Sequence, residues 1–571
     1  MIPQDTIVKR GDLVLKIFAL GVLVIFGKLF WQQIIQHKNY LSLARAQYES
    51  NTTYEAKRGR ILAQDKGLSN SLEQGNPNFF PLAINVERFQ VQVVPRNLKI
   101  PGEAAAKIGA ILDIPADQLT GDFSSGKLYL PPIKRGLEKA VADQVKALDL
   151  QGVIVVPEQR RFYPEGTLAA ALLGFVNLEG KANYGVEEYY DNPLRGTQGQ
   201  LVGMKDVAGE LVRVSKDQPG NQGSDIVLTI DHTVQYMVEQ KLKSAIERYG
   251  ADSGTVIIMN PHNGAILAAA SLPSYDPNKY WEITDYQRFN NPISASSWEP
   301  GSVFKPLVMA SAINEGKVEP DTKETFSNMV VIDSHEIHTA QDKAFGTETM
   351  TQVLENSDNV AMVWVSEKLG NNLMGKYLED LGFGKATGVD LGNEAAGKVL
   401  PPANWRNIER ATIAFGQGIS VTPLQLAIGY SAIANGGNVI TPRIVDRVID
   451  AKGQETPTEL KTVKQSVFKE DTVKKITGMM VSVVERGHGA KAKVAGFKVA
   501  GKTGTAQIPN PSGGYLEDQH IGSFAGFAPA DSPKFVMVVK LDRPKNVEFA
   551  ESSAAPLFGE IADWLLKNYY I

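Results

Sequence analysis

The chain has 571 residues, of which 43% are hydrophobic and 21% charged, and this composition excludes a mostly disordered chain or a collagen-like polymer. Its 59 Lys and Arg residues against 63 Asp and Glu residues give a net charge of −4, which provides no electrostatic basis for nucleic-acid binding. Cysteine is absent, so disulfides, thiolate catalysis and cysteine-ligated metals are excluded. The length leaves room for roughly two to four domains.

The first predicted element is an apolar helix over residues 13–31. At a rise of ~1.5 Å per residue it would extend about 28 Å, close to the ~30 Å hydrocarbon thickness of a bilayer. Lys16 and Lys28 lie near its two ends, where lysine side chains can reach the lipid headgroups. A buried core helix and a cleaved signal peptide are the alternatives to a membrane span.

Charges near this helix indicate an orientation. Lys9 and Arg10 precede it, and basic residues favour the cytoplasmic side of a membrane. We therefore predict a cytoplasmic tail over residues 1–12 and a single transmembrane helix over residues 13–34. Since no second stretch of the sequence could span a bilayer, the rest of the chain is expected outside the cytoplasmic membrane.

Residues 35–220 are polar, and glycine and proline punctuate them throughout. Runs that alternate or stay apolar predict short strands at residues 89–94 and 152–156, and helical periodicity is present near residues 104–112 and 136–148. No arrangement of catalytic residue types occurs here. We predict an elongated, non-catalytic module with a small core.

The pattern changes near Asp225. An apolar run at residues 226–230 is followed by Asp231, which is typical of the N-cap of an amphipathic helix reaching to about residue 249. Two further apolar runs enclose Asn263-Gly264, and this arrangement predicts a β-hairpin.

The C-terminal part predicts three more strands, at residues 497–505, 521–527 and 535–541, and then a helix with one apolar face. Helix-rich sequence lies between these strands and the hairpin. Residues 221–571 therefore predict an α+β or α/β domain, with one sheet whose outer strands come from opposite ends of the domain.

The first candidate for chemistry is Ser302, which lies at the start of an apolar helix with Lys305 three residues on, on the same face. A serine hydroxyl needs a base within hydrogen-bond reach to become a nucleophile. A lysine can be that base if burial or a second cation lowers its pKa. The tetrapeptide alone is common, and Ser302 could equally be an ordinary helix N-cap.

Two further candidates follow. Ser357-Asp358-Asn359 lies between two predicted helices, where it could bind substrate or simply cap a helix. Lys502-Thr503-Gly504 lies in a predicted strand, where Lys502 offers charge and Gly504 leaves room for a substrate backbone beside the strand. The alternative there is an ordinary edge strand with a bulge glycine.

Two other interpretations are rejected. Residues 496–503 fit the pattern of a phosphate-binding loop, but the intervening residues alternate as a strand does, and residues 504–509 do not begin a helix. His335 and His338 could pair on a metal, but they lack a third ligand and are better explained as a solvated loop.

The order S-x-x-K, S-D-N, K-T-G is that of penicillin-binding proteins and class A β-lactamases. Together with the apolar N-terminal helix, it makes the chain resemble the class B penicillin-binding proteins, which are membrane-anchored peptidoglycan D,D-transpeptidases. The resemblance extends to other segments typical of that family, at residues 58–61, 160–164, 185–190, 194–196, 271–278 and 414–425.

The resemblance implies a fold: a central five-stranded antiparallel sheet sandwiched by helices, with an all-helical subdomain, over residues 221–571. It also implies that residues 35–220 form a pedestal or dimerisation-like module. Ser302 would be the acylated nucleophile, Lys305 its proton acceptor, Ser357 the proton relay to the leaving group, and Asn359 a ligand of the substrate amide. No metal or organic cofactor is implied.

The third motif would bind the donor peptide. Lys502 and Thr503 would hold its carboxylate, and the strand through Gly504 and Thr505 would pair with its backbone. The N–H groups of Ser302 and Thr505 would form an oxyanion hole, an arrangement that stabilises a transition state by several kcal/mol.

The implied reaction cross-links peptidoglycan stem peptides through a serine acyl-enzyme, and β-lactams would be covalent inhibitors. Asn359 as the third residue of its motif resembles the division, or septal, branch, while Asp358 is a less usual middle residue. Implied partners are a polytopic, glycan-polymerising glycosyltransferase and division proteins. The three motifs leave two alternatives open: a carboxypeptidase or β-lactamase-type hydrolase, and a non-catalytic β-lactam-binding scaffold or sensor.

Overall fold

The structure is a computed structural model that describes residues 4–54, 56–65, 78–205, 211–218, 220–510 and 512–570. The first three residues of the predicted cytoplasmic tail therefore lie outside the described residues. The chain forms two compact units: Met1–Lys57 with Gly196–Gln222, and Arg58–Arg195 with Gly223–Ile571.

The first unit begins with a long helix, Gln4–Phe30, which continues as a π-helical turn, Trp31–Ile35, and a second helix, His37–Tyr48. Within the described residues, Gly11–Ile35 is the one helical segment long and apolar enough to cross a membrane, and its side chains are exposed. Such an apolar surface is stable in lipid rather than in water. The predicted N-terminal apolar helix is confirmed.

The rest of the first unit is a three-stranded antiparallel sheet. Its strands, in spatial order, are Glu49–Tyr54, Gly199–Lys205 and Leu211–Gln218.

In the second unit, a seven-stranded sheet combines strands from distant parts of the chain. Its order is Glu455–Pro457, Val445–Ile449, Asp225–Asp231, Ile61–Asp65, Asn78–Val93 and Lys134–Leu137, and Val153–Phe162 also pairs with Asn78–Val93. Asp225–Asp231 runs parallel to Ile61–Asp65. The apolar run at residues 226–230 is thus a strand, but of this sheet rather than of the sheet that carries the site.

A small separate core covers the far part of this sheet. Helices Pro101–Leu112, Ala116–Phe123 and Lys139–Ala147 bury apolar side chains against Asn78–Val93 and Val153–Phe162. The predicted strands and the helices near residues 104–112 and 136–148 are present. The helix Ala116–Phe123 was missed, since eight residues give too few turns for a periodic signal.

A buried ion-pair cluster joins segments that carried the family resemblance. Glu187, whose side chain is 0% exposed, accepts from Arg58 at 2.7 Å and from Arg161 at 2.6 Å, and Arg58 also pairs with Asp191 at 2.7 Å. A buried carboxylate is tolerated when charged donors satisfy it in this way.

The sheet that carries the site has five strands, all antiparallel to their neighbours: Ile266–Leu272, Ser253–Met259, Phe535–Asp542, Tyr515–Ala528 and Ala500–Pro509. The outer strands come from opposite ends of the domain, as predicted. Helices His232–Tyr249 and Ala554–Trp564 pack in one apolar core with this sheet, and the other helices share a second core with it. That second set comprises Lys305–Asn314, Met350–Asn356, Asn359–Asp380, Pro423–Ala434 and Glu470–Arg486.

Candidate active site

Ser302 lies in a tight turn that precedes a helix. Gly301–Phe304 forms a 3₁₀ turn and Lys305–Asn314 the α-helix, so the predicted helix start is a tighter structure than expected. Because side chains three residues apart eclipse in a 3₁₀ helix, Ser302 and Lys305 face the same side. In this first turn the N–H of Ser302 has no acceptor within the helix, which fits the predicted oxyanion donor.

Neighbouring segments hold this turn in place. Gly301, with a φ of 62°, donates its N–H to the Gly416 carbonyl at 3.0 Å, and a Cβ on Gly416 would collide with the Gly301 backbone. The buried Tyr430 hydroxyl donates to the Val303 carbonyl at 2.6 Å. The turn that carries Ser302 is therefore fixed from two sides by Gly416 and Tyr430, which the sequence analysis did not assign to the site.

Lys305 links the first two motifs. Its side chain is 0% exposed, and its Nζ donates to the Ser357 carbonyl at 2.6 Å and to Asn359 Oδ1 at 2.7 Å, with Ser357 Oγ at 3.2 Å. Burial lowers the pKa of Lys305 well below its usual value, and the nearby Lys502 ammonium lowers it further. Asp358 and Glu348 act in the opposite direction. The site thus favours a neutral amine on Lys305, which is the form that can accept a proton.

The second motif both caps a helix and supplies ligands of Lys305. Ser357, with a left-handed φ of 57°, ends helix Met350–Asn356, and Asp358 Oδ1 caps helix Asn359–Asp380 by accepting from the Ala361 N–H at 2.9 Å. Asn359 Nδ2 donates to the His338 carbonyl at 3.0 Å. The capping interpretation therefore holds for Asp358, while its two neighbours turn towards Lys305.

The third motif lies on Ala500–Pro509, which forms the outer edge of the five-stranded sheet. The Lys502 side chain is 0% exposed, and its Nζ donates to the Thr503 carbonyl at 3.1 Å. Burial lowers the pKa of Lys502 to about 7, with Glu551 opposing the shift. The exposed Thr505 accepts a hydrogen bond from the Ala550 N–H at 3.1 Å. Within the described chain no further strand pairs with this edge, so backbone groups there can bind an extended peptide.

Gly504 has a different structural role from the one expected. A Cβ at this position would lie 2.9 Å from Val303 Cγ1, 3.0 Å from the Pro300 carbonyl oxygen and 2.8 Å from Ser523 Oγ. The space beside Gly504 is therefore filled by the nucleophile turn. The missing side chain allows the edge strand and the turn to approach each other closely.

The structure brings the three predicted motifs together. Lys305 contacts the second motif directly, and its pKa responds to Lys502 of the third. The turn that carries Ser302 packs on Gly504. The site residues that sequence reasoning missed are Gly416, Tyr430, Glu299 and Tyr515. Of these four residues, only Gly416 lies in a segment that the sequence analysis singled out, residues 414–425.

Two polar contacts join segments around the Ser302 turn to the edge strand and its neighbouring strand. The Tyr515 hydroxyl donates to Glu299 Oε2 at 3.0 Å, and Gln417 Nε2 donates to Gln507 Oε1 at 3.1 Å. Burial raises the pKa of Glu299. Gln507 and Tyr515, together with Thr505, also line an open groove of about 1200 Å³.

The structure shows how the two segments with rejected interpretations fold. Residues 500–509 continue as a strand where a phosphate-binding loop would begin a helix. His335 and His338 lie on strand His335–His338 of a surface hairpin, and the described residues contain no cluster of three or more metal-ligating side chains.

Comparisons with known proteins place these features in context. Residues 254–563 match the penicillin binding protein transpeptidase domain, and residues 53–228 match the penicillin-binding protein dimerisation domain. The chain is 35% identical to stage V sporulation protein D of Bacillus subtilis, over 97% of this chain and 85% of that protein. It is 32% identical to the peptidoglycan D,D-transpeptidase FtsI of Escherichia coli, over 86% of this chain and 82% of the relative.

Solved structures of related proteins have a similar fold. The fold is similar to that of penicillin-binding protein 3 from Mycobacterium tuberculosis complexed with aztreonam, with a TM-score of 0.70, 27% identity and coverage of 91% of this chain and 98% of that one. A peptidoglycan synthetase from Bifidobacterium adolescentis aligns with a TM-score of 0.73 at 27% identity, over 92% of this chain and 97% of that one.

Proposed function

The chain belongs to the class B penicillin-binding proteins and is a peptidoglycan D,D-transpeptidase, and we propose that it works through an acyl-enzyme on Ser302. The observation that carries this assignment is the buried Lys305 amine, which lies three residues after Ser302 in the chain and donates to the Ser357 carbonyl and to Asn359 Oδ1 of the second motif.

The geometry of Lys305 supports a role as the base. A neutral amine has two N–H donors and one lone pair. The Ser357 carbonyl and Asn359 Oδ1 only accept, so they occupy the two N–H groups and leave the lone pair for a hydroxyl proton. Ser302 Oγ then attacks the carbonyl carbon of the penultimate D-alanine, and its proton moves to Lys305.

The leaving group departs in the next step. The Ser357 hydroxyl gives its proton to the nitrogen of the terminal D-alanine as the C–N bond breaks. The Lys305 ammonium, with Nζ 3.2 Å from Ser357 Oγ, returns a proton to that oxygen and becomes neutral again. Lys502 and Thr503 bind the substrate carboxylate. The N–H groups of Ser302 and Thr505 stabilise the oxyanion, Asn359 holds the substrate amide, and Gly504 keeps the strand against the turn.

An acceptor amine completes the reaction. The amine of a neighbouring stem peptide attacks the ester carbonyl and forms the new amide bond. Its proton returns through Lys305 to Ser302 Oγ, which leaves as the hydroxyl. A β-lactam acylates the same oxygen but keeps its leaving group tethered within the adduct.

The protein is a single-pass membrane protein by its one apolar helix and its relatives. We place residues 1–12 in the cytoplasm, residues 35–220 outside as a pedestal and residues 221–571 as the transpeptidase domain. The positive charge of Lys9 and Arg10 supports this orientation. Expected partners are a polytopic glycan-polymerising glycosyltransferase and division proteins.

We assign the enzyme to septal wall synthesis on the basis of Asn359 in the second motif. The similarity to stage V sporulation protein D favours a sporulation role as the second candidate. A fluorescent fusion that collects at division septa, with filamentation on depletion, would support the first. Normal division and a defect confined to spore formation would support the second.

Labelling with a fluorescent penicillin tests the nucleophile. The wild-type chain should form a stoichiometric adduct that maps to the peptide containing Ser302, and Ser302→Ala should form none. Ser296→Ala, at an exposed serine on the segment before the turn, is the matched control and should label normally. Stoichiometric labelling of Ser302→Ala would contradict the assignment.

Product analysis tests the hydrolase alternative. With a donor stem peptide and an acceptor amine, mass spectrometry should detect the cross-linked product together with released D-alanine. Release of D-alanine without any cross-link, at saturating acceptor, would instead establish a carboxypeptidase. A cell that grows normally with Ser302→Ala as its only copy would favour the scaffold role.

A further inference from the structure

Two buried carboxyl groups belong to the second motif and its surroundings: Asp358 is the middle residue of the motif, and Glu348 is hydrogen-bonded to Asn356, the residue before the motif. The Glu348 side chain is 2% exposed and Asp358 is 0% exposed. One oxygen of each has a donor: Glu348 Oε1 accepts from Asn356 Nδ2 at 2.6 Å, and Asp358 Oδ1 accepts from the Ala361 N–H at 2.9 Å. The other two oxygens, Glu348 Oε2 and Asp358 Oδ2, are buried, and no donor within the described chain reaches them.

These two oxygens can satisfy each other if one of them carries a proton. Two carboxylates that share a site do not both ionise, because the like charges repel. Burial raises the pKa of Glu348 to about 7, and the neighbouring Asp358 carboxyl contributes to the rise. Near neutral pH a proton between the groups therefore removes both unsatisfied acceptors at once.

We propose that Glu348 and Asp358 form a carboxylic acid–carboxylate pair that shares one proton and acts as a positioning element for Lys305. Asp358 lies between the two residues that hold the Lys305 amine, and it caps the helix that begins at Asn359. This inference rests on the proposed role of Lys305 as the base.

The charged groups around the pair define its electrostatic effect. Lys305 faces it from the nucleophile helix, and Lys502 faces Lys305 from the edge strand. Glu355 acts on Glu348 from helix Met350–Asn356 and is itself paired with Arg486 at 3.1 Å. Glu324 lies opposite Glu348 in the adjacent strand Lys323–Phe326.

One shared proton keeps the pair at a single negative charge beside Lys305. A second charge would stabilise the Lys305 ammonium and make the amine less available as a base. Complete loss of charge would leave Lys305 beside Lys502 with no compensating acid in the pair. The pair thus sets the pH at which Lys305 becomes neutral.

Three variants separate these effects. Glu348→Gln keeps a donor for Asp358 Oδ2 but cannot ionise, and Glu348→Leu removes the donor. Glu103→Gln, at an exposed carboxylate paired with Lys107 on helix Pro101–Leu112, is the control. The second-order rate constant of acylation by a fluorescent penicillin is measured on the full chain in detergent, from about pH 5 to 9.

Glu348→Gln should keep the plateau rate of the wild type within about twofold. It should move the acidic limb of the profile about half a pH unit lower, because glutamine never adds the second negative charge that stabilises the Lys305 ammonium. Glu348→Leu should lose at least about tenfold at every pH, because it leaves a buried oxygen of Asp358 without a donor. The control should reproduce the wild-type profile. A Glu348→Gln profile identical to wild type, or a Glu348→Leu variant with wild-type rates, would overturn the proposal.

An infrared difference spectrum between acidic and alkaline solutions provides a readout that does not need acylation. A protonated carboxyl band should be present in the wild type and in Glu103→Gln but absent from Glu348→Gln. If the band is unchanged in Glu348→Gln, the shared proton does not exist. If Ser302→Ala still labels, the assignment of Ser302 as the nucleophile is wrong, whereas an unchanged infrared band in Glu348→Gln refutes the shared proton. The two results therefore test the proposed function and this inference separately.

Discussion

Replacing Gly504 with alanine should damage the site without touching any reacting group. The added Cβ would lie 2.9 Å from Val303 Cγ1 and 3.0 Å from the Pro300 carbonyl oxygen, closer than real Cβ contacts, so the strand and the nucleophile turn must separate by a few tenths of an ångström. Overpacking of this kind costs about 1–3 kcal/mol. A displacement approaching ~1 Å at a reacting atom can cost about 100-fold in rate.

We therefore expect Gly504→Ala to acylate roughly 10- to 100-fold more slowly with a fluorescent penicillin and to unfold at a lower temperature. Gly478→Ala is the matched control, because Gly478 lies inside helix Glu470–Arg486 and its added Cβ would meet no atom within 4 Å. That substitution should acylate normally and stabilise the helix by roughly 0.5–1 kcal/mol.

The stopped-flow rate at saturating and limiting penicillin distinguishes slower chemistry from weaker binding. If Gly504→Ala acylates at the wild-type rate while remaining folded, the close approach between strand and turn does not position Ser302. A lower acylation rate with an unchanged melting temperature would show that the turn moves away from the strand without destabilising the fold.

Three further predictions concern buried charges. Lys502→Met should remove a pH-dependent contribution of about 5 kcal/mol, because the folded pKa of about 7 lies below the unfolded value near ~10.4 and the free energy of unfolding rises with pH between them. Thermal unfolding measured across that pH window checks this, and equal slopes of stability against pH in both proteins would contradict it. Glu187→Ala should cost about 3–5 kcal/mol, because it leaves the buried Arg161 guanidinium without a carboxylate and Arg58 with Asp191 alone, whereas Glu103→Ala at an exposed helical pair should cost under about 0.5 kcal/mol; equal melting temperatures would refute the difference. Asn359→Ala removes one of the two acceptors of the Lys305 amine and should slow acylation about 100-fold, while an unchanged rate would exclude that role.

The candidate site could be predicted from the sequence because it consists of short motifs whose residue types rarely occur together. Ser302, Lys305 and the second motif need no tertiary information to be recognised as a set, and the edge strand of Lys502 follows from its alternating pattern. The hairpin at Asn263-Gly264 is equally local, because only the turn chemistry is needed.

The features that were missed depend on contacts between distant residues. The role of Gly504 follows from packing against Val303, which no local pattern reveals. The strand also begins at Ala500 rather than Phe497, because residues 494–497 make their own turn-like bridge. In the sequence, Glu348 is an ordinary residue of a short strand, and only the folded structure shows that it lies near Asp358. Burial of a charged group is a tertiary property, and periodicity does not report it.

The parallel pair in the seven-stranded sheet has a consequence for biosynthesis. Ile61–Asp65 is made early, but its parallel neighbour Asp225–Asp231 follows only after about 160 residues, which takes roughly 10–30 s at ~5–20 residues per second. During that delay one edge of the nascent hairpin with Asn78–Val93 is open to pairing with other chains. A truncated chain that ends before Asp225 would keep this edge permanently, so it should aggregate unless a chaperone or a second polypeptide covers it.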